Sequence, residues 1–339
     1  MYPNLATLNL LINPFGRVGM RGLDMKSAEV KLFEGIRSFS SVAILAGIIL
    51  SLFFSQLLGE SSMQWQVVIA IAALAIGIPH GALDHLVTLP KSRPLVMAGF
   101  IAVYVLIAIV AVIAILEFNI VGFIFVLVMS AVHFGIGDAA FISELDRRRP
   151  VSVRLPRAIY AISAGSIPVL IPLVNSASTD ALAQVNPSLI DWHQGYDQEI
   201  LTVVITIACI SIAGLIVRKR IREAVDIGLL LALALLTPPL IAFALYFGCW
   251  HAMRHTARLT LSLETSQRAY VSGNIRSAFL KAVIPGIPAL VGTFFIAGIL
   301  AIRGQEFSDD FFWMALVVVW ALTVPHMAVT AKLDRRALT

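Results

Sequence analysis

Seven histidines occur in the chain, and six of them fall in or at the ends of apolar runs. His251 and His255 are four apart in YFGCWHAMRH, residues 246 to 255. That spacing puts both on one face of a helix, as in a helical metal site. His80 follows a proline in PHGALDH, His133 opens HFGIGDA, and His326 stands in PHM. A first shell of imidazoles favours a transition metal, and softness alone leaves iron, copper and zinc open. The other use of a histidine inside a membrane is a hydrogen bond to a neighbouring helix. His85, five residues after His80, is rotated from it by about 140° on helical geometry and reads as a helix-end residue. His193 lies in a polar loop and reads as solvated.

Carboxylates accompany the histidines. Asp84 is four residues after His80, and Asp138 follows His133. A metal-bound imidazole needs its second nitrogen held by an acceptor, commonly a carboxylate, so both are expected as partners of the histidines, with Arg254 as a compensating charge. An Asp–Arg pair joining two helices is the alternative. Gly77 and Gly81 flank His80, Gly135 and Gly137 follow His133, and Gly248 precedes His251. Small residues let membrane helices approach closely and also leave room for a bulky ligand.

The elements that carry these residues are membrane spans. Hydrophobic residues make up 59% of the 339 and charged ones 13%, with a mean hydropathy of +0.89; a soluble domain has roughly 25% charged. The expected fold is all-α, a polytopic transmembrane bundle of about ten spans. They are placed at 40–58, 66–89, 95–116, 120–142, 158–175, 199–217, 225–237, 240–258, 282–302 and 311–331. LLTPPL between the seventh and eighth predicts a tight hairpin over one broken helix. On this assignment 23 of the 25 Lys and Arg fall on one side, which predicts cytoplasmic termini. The net charge of +5 is then topological and implies no nucleic-acid partner. Two cysteines, Cys209 and Cys249, exclude a disulfide framework or a CxxC zinc site. No removable signal peptide is expected. The expected organisation is a cytoplasmic or interfacial segment over 1–38, a single transmembrane catalytic domain over 39–332 and a tail over 333–339. His80, His133, His251, His255 and His326 all fall on helices running from outside to inside, roughly 17–23 Å below the outer boundary.

PHGALDH, HFGIGDA, YFGCWHAMRH and PHM, spread over most of the chain, together resemble the Brp/Blh family of membrane β-carotene 15,15′-dioxygenases. The resemblance implies a non-haem Fe(2+) enzyme that splits the central double bond of β-carotene with O2 to give two all-trans-retinal. The family's proposed iron ligands fall on His80, His133, His251 and His255. It further implies β-carotene entering from the lipid bilayer, O2 and membrane lipids as partners, a functional link to a retinal-binding rhodopsin, and a multi-pass place in the inner cell membrane. Tyr246, Asp84 and Asp138 are the expected catalytic residues. Phe134, Phe247, Trp250 and Met253 suit the walls of a polyene pocket, with Tyr246 one turn from Trp250. His326 is placed with the pocket, its use as a fifth ligand or as a residue behind the ligands left open. Two other classes compete. A di-iron desaturase or hydroxylase needs more histidines, on cytosolic faces, than the membrane part holds. A proton-coupled or metal-ion transporter would use the intramembrane His, Asp and Arg as a relay.

Overall fold

Lipid offers no partners to backbone amides and carbonyls, so apolar chains close their hydrogen bonds within helices. In the computed structural model every regular element among the described residues is helical. These residues are 14–59, 63–89, 93–149, 153–179, 186–292, 295 and 309–339. The helices are α1 (Pro14–Leu58), α2 (Met63–Gly77), α3 (Asp84–Thr88), α4 (Pro94–Glu117), α5 (Asn119–Asp146), α6 (Arg157–Leu173), α7 (Asp197–Val217), α8 (Ile221–Leu236), α9 (Pro239–Leu245), α10 (Met253–Leu259), α11 (Glu264–Val271), α12 (Ile275–Val283) and α13 (Asp309–Leu338). A 3₁₀ segment, Ile78–Leu83, links α2 to α3, and a π segment, Tyr246–Ala252, links α9 to α10.

The described parts of the expected segments are largely helical, the stretches at 66–89 and 240–258 being divided by the 3₁₀ and π segments. Six helical stretches among the described residues are long and apolar enough to cross a membrane: Met25–Leu58, Trp65–Thr88, Pro94–Glu117, Asn119–Asp146, Asp197–Val217 and Ile275–Gly292. The second half of the segment at 282–302 lies outside the described residues, as do Lys91, Arg303 and the start of the N-terminal segment. Exposed Ile101, Val105, Ile109 and Ile113 on α4 make an apolar exterior that suits lipid rather than water.

Two local outcomes differ from simple spans. α1 runs unbroken through residue 38, and instead of lying on an interface Phe33 packs face to face on Phe141, ring centroids 4.9 Å apart. Thr237 is extended between α8 and α9, and the chain then doubles back. Arg254 and Asp226, on opposite arms, meet at 3.3 Å. This is the hairpin that LLTPPL predicts.

Glycines set the closest packing. A β-carbon at Gly135 would strike the carbonyl of Ala161, and one at Gly165 that of Ala131, so α5 and α6 touch backbone to backbone. Gly248 seats the π segment on the carbonyl of Ala73 in α2 in the same way.

Candidate metal centre

Each histidine reaches the centre through a different local device. His80 is on the 3₁₀ segment, with Pro79 in its first turn, and its Nδ1 is held by the carbonyl oxygen of Gly77. Residues three apart eclipse in a 3₁₀ helix, so Asp84 is turned by about 120° from His80 instead of sharing its face. Asp84 binds His326 instead, with its Oδ2 2.9 Å from the ring Nδ1. Tyr104 donates its hydroxyl to that same oxygen at 3.0 Å. His133, in the middle of α5, has its Nδ1 3.3 Å from the hydroxyl of Thr330. Thr330 lies one turn beyond His326 on α13, so one face of α13 supplies both an imidazole and the group that holds another.

His251 is the next-to-last residue of the π segment. Its wide i→i+5 turns place Tyr246 over His251, ring centroids 6.3 Å apart, rather than over Trp250 as ordinary helical spacing predicts. His251 stacks in turn on His255 at 5.9 Å. Phe134 flanks His251 at 4.5 Å and Phe247 flanks His80 at 5.4 Å. A β-carbon at Gly137 or Gly81 would meet only His251 at 3.7 Å or His326 at 4.0 Å, ordinary contact, so neither position needs glycine to leave the rings clear.

The five rings form one buried cluster. His255 touches all four others, at 5.4 Å to His80, 6.3 Å to His133, 5.9 Å to His251 and 5.7 Å to His326. Those four close a circuit in the order His80, His251, His133, His326, with neighbouring centroids 5.0 to 5.5 Å apart. Nε2 of His133, His251, His255 and His326 is buried with no hydrogen-bond partner among the described residues. Buried polar atoms are seldom left so, and a set of neutral imidazole nitrogens is the donor type that suits a transition metal. No three His, Cys, Asp or Glu side chains among the described residues stand close enough to hold one ion as placed. A metal held here would need the rings closer together than they stand.

The remaining expected site residues stand beside the cluster or away from it. Asp138 touches none of the histidines; it accepts a hydrogen bond from Trp250 Nε1 at 2.7 Å and stands 3.5 Å from Arg254. Arg254 lies over the Trp250 ring, 3.5 Å from its centroid, so Trp250 belongs to this polar layer. Tyr246 is fully buried and its hydroxyl has no partner among the described residues. Met253 is half-buried and packs on the core. His85 is half-buried, and His193 accepts a local backbone hydrogen bond from Gly195.

An ionic layer lines the cluster. Arg258 bridges Glu144 at 3.1 Å and Asp334 at 2.6 Å, while Arg37 bridges Glu223 at 2.7 Å and Asp226 at 2.8 Å. Position along the sequence makes Arg37 and Arg258 look like loop charges, yet both are buried. Thr330 and Tyr104 also escape a reading of ionisable residues alone. Only the i,i+4 spacing of His326 and Thr330 hints at the first.

An all-helical body with an apolar exterior and a buried imidazole cluster is a membrane protein built around a polar centre. A family model described as beta-carotene 15,15′-dioxygenase matches residues 71–334, and the chain belongs to that family. The matched region contains all five clustered histidines. The chain is similar to a probable β-carotene 15,15′-dioxygenase Blh of Halobacterium salinarum, 25% identical over 298 residues that cover 78% of this chain and 83% of the relative. It is also similar to a β-carotene 15,15′-dioxygenase of uncultured marine bacterium 66A03, 24% identical over 265 residues, or 74% of this chain and 88% of the relative. No solved structure gives a significant match.

Proposed function

We propose that this protein is a carotenoid-cleaving oxygenase of the cell membrane, with both termini cytoplasmic, that splits the central 15,15′ double bond of β-carotene to give two all-trans-retinal. One carbon–carbon double bond is lost, two carbonyls form and one O2 is consumed, so no external reductant is needed. The observation that carries the reading is the meeting of His80, His133, His251 and His255 in one buried cluster within the span matched by the family model.

These four imidazoles would hold Fe(2+), which supplies the redox chemistry that lets O2 react with an alkene. The chain's own residues bind, orient and exclude. Gly77 O fixes the ring of His80, and Thr330 fixes that of His133. Phe134 and Phe247, packed on the histidines, give the apolar wall that a conjugated hydrocarbon needs. Burial keeps water from the products, and the lipid-facing exterior lets β-carotene arrive sideways from the bilayer.

Expression in a β-carotene-accumulating bacterium tests this. The expected result is loss of colour and retinal formation that an iron chelator suppresses. Persistent colour without retinal, from folded and iron-loaded protein, overturns the substrate assignment; cation uptake into liposomes by that protein would then favour transport.

A further inference from the structure

We propose that His326 is a fifth nitrogen ligand of this centre, giving a shell of five imidazoles. The inference rests on the metal reading above and extends it by one residue.

His326 is buried, and its two ring nitrogens have opposite surroundings. Nδ1 is fixed by Asp84 at 2.9 Å, and Asp84 is fixed in turn by Tyr104. Nε2, on the far side of the ring, has no hydrogen-bond partner among the described residues. The ring lies among those of His80, His133 and His255, whose centroids are 5.5, 5.3 and 5.7 Å away. One nitrogen on a carboxylate and the other free toward a set of imidazoles is the arrangement of a metal-bound histidine.

The competing roles fit less well. A residue behind the ligands would hydrogen-bond one of them, as Thr330 does for His133, but His326 makes no such bond. Its ring stands nearly perpendicular to its neighbours, at 76° to His80 and 80° to His133. The circuit of four rings is also incomplete without it. His80 faces His133 across the circuit and His251 faces His326, with no direct ring contact between the members of either pair among the described residues. His255 touches all four.

The test reads the metal rather than turnover. Full-length protein is purified, stripped and reloaded with Co(II) as a spectroscopic stand-in, and Fe(II) retention is titrated against a chelator. His326→Gln is expected to weaken metal retention at least about ten-fold and to change the Co(II) visible bands toward lower coordination. His326→Gly with added imidazole is expected to regain the wild-type bands. Unchanged bands and retention in His326→Gln overturn the proposal. Where neither variant folds, X-ray absorption of the wild-type protein decides: five imidazole nitrogens support the fifth ligand and four overturn it. Wild-type protein that takes up no ion overturns the metal reading itself, and this proposal with it.

Discussion

The carboxylate of Asp84 holds Nδ1 of His326 at 2.9 Å, and the two residues are separated by 242 positions in the chain. This contact ties the short helix after His80 to α13, so the relative positions of two of the cluster's imidazoles are set by one carboxylate.

A graded loss follows along this line of contacts. Asp84→Asn keeps the shape but removes the charge that orients His326, and metal affinity should fall by about 10–100-fold. Tyr104→Phe removes only the outer hydrogen bond to Asp84 and should cost less, in line with about 0.5–1.5 kcal/mol for the net contribution of one hydrogen bond. Chelator competition on the purified variants measures both. An equal loss in the two would show that Asp84 does not act through its charge.

His251→Ala and His255→Ala should each reduce retinal formation by at least about a hundred-fold and lower bound iron well below that of the wild type. Retinal in carotenoid-producing cells and iron in purified protein give the two readouts. Normal retinal from His251→Ala would sink the ligand assignment.

The histidines were legible because ionisable residues stand out against apolar sequence. Counting from the span ends put His80, His133, His251, His255 and His326 at one depth, and the structure gathers the same five. The direction of each side chain was less accessible. The 3₁₀ and π segments change which residues share a face, and a changed hydrogen-bond step leaves no mark in composition. Ordinary helical spacing therefore points Asp84 toward His80 and Tyr246 toward Trp250, whereas they meet His326 and His251. Arg37 and Arg258 count among the 23 basic residues on one side because the topological rule follows position along the chain, whereas their burial depends on acidic partners supplied by distant helices.

Arg258 leads to a stability prediction. Its guanidinium contacts Glu144 and Asp334 with all three side chains buried, so Arg258→Met leaves two carboxylates unpaired. Breaking a buried pair on one side costs about 3–5 kcal/mol, and the unfolding midpoint in detergent should drop accordingly. Adding Glu144→Gln and Asp334→Asn removes the uncompensated charge and should restore part of the loss. A single variant as stable as wild type would mean that the ionic contact contributes nothing.

The glycines beside the site separate packing from access. A β-carbon at Gly248 would strike the backbone carbonyl of Ala73, which has no flexible end that can move aside. Gly248→Ala must push the π segment away from α2, an overpacking that costs about 1–3 kcal/mol and shifts His251, so folded yield and metal binding should fall together. A β-carbon at Gly81 would meet only His326 Nδ1, at 4.0 Å, so Gly81→Ala should fold to normal yield and bind metal as the wild type does. Size-exclusion yield and metal content of the two variants check the contrast. Equal behaviour would show that α2 and the π segment are not held at backbone contact, and with that the stacking of Tyr246 over His251 would lose its support.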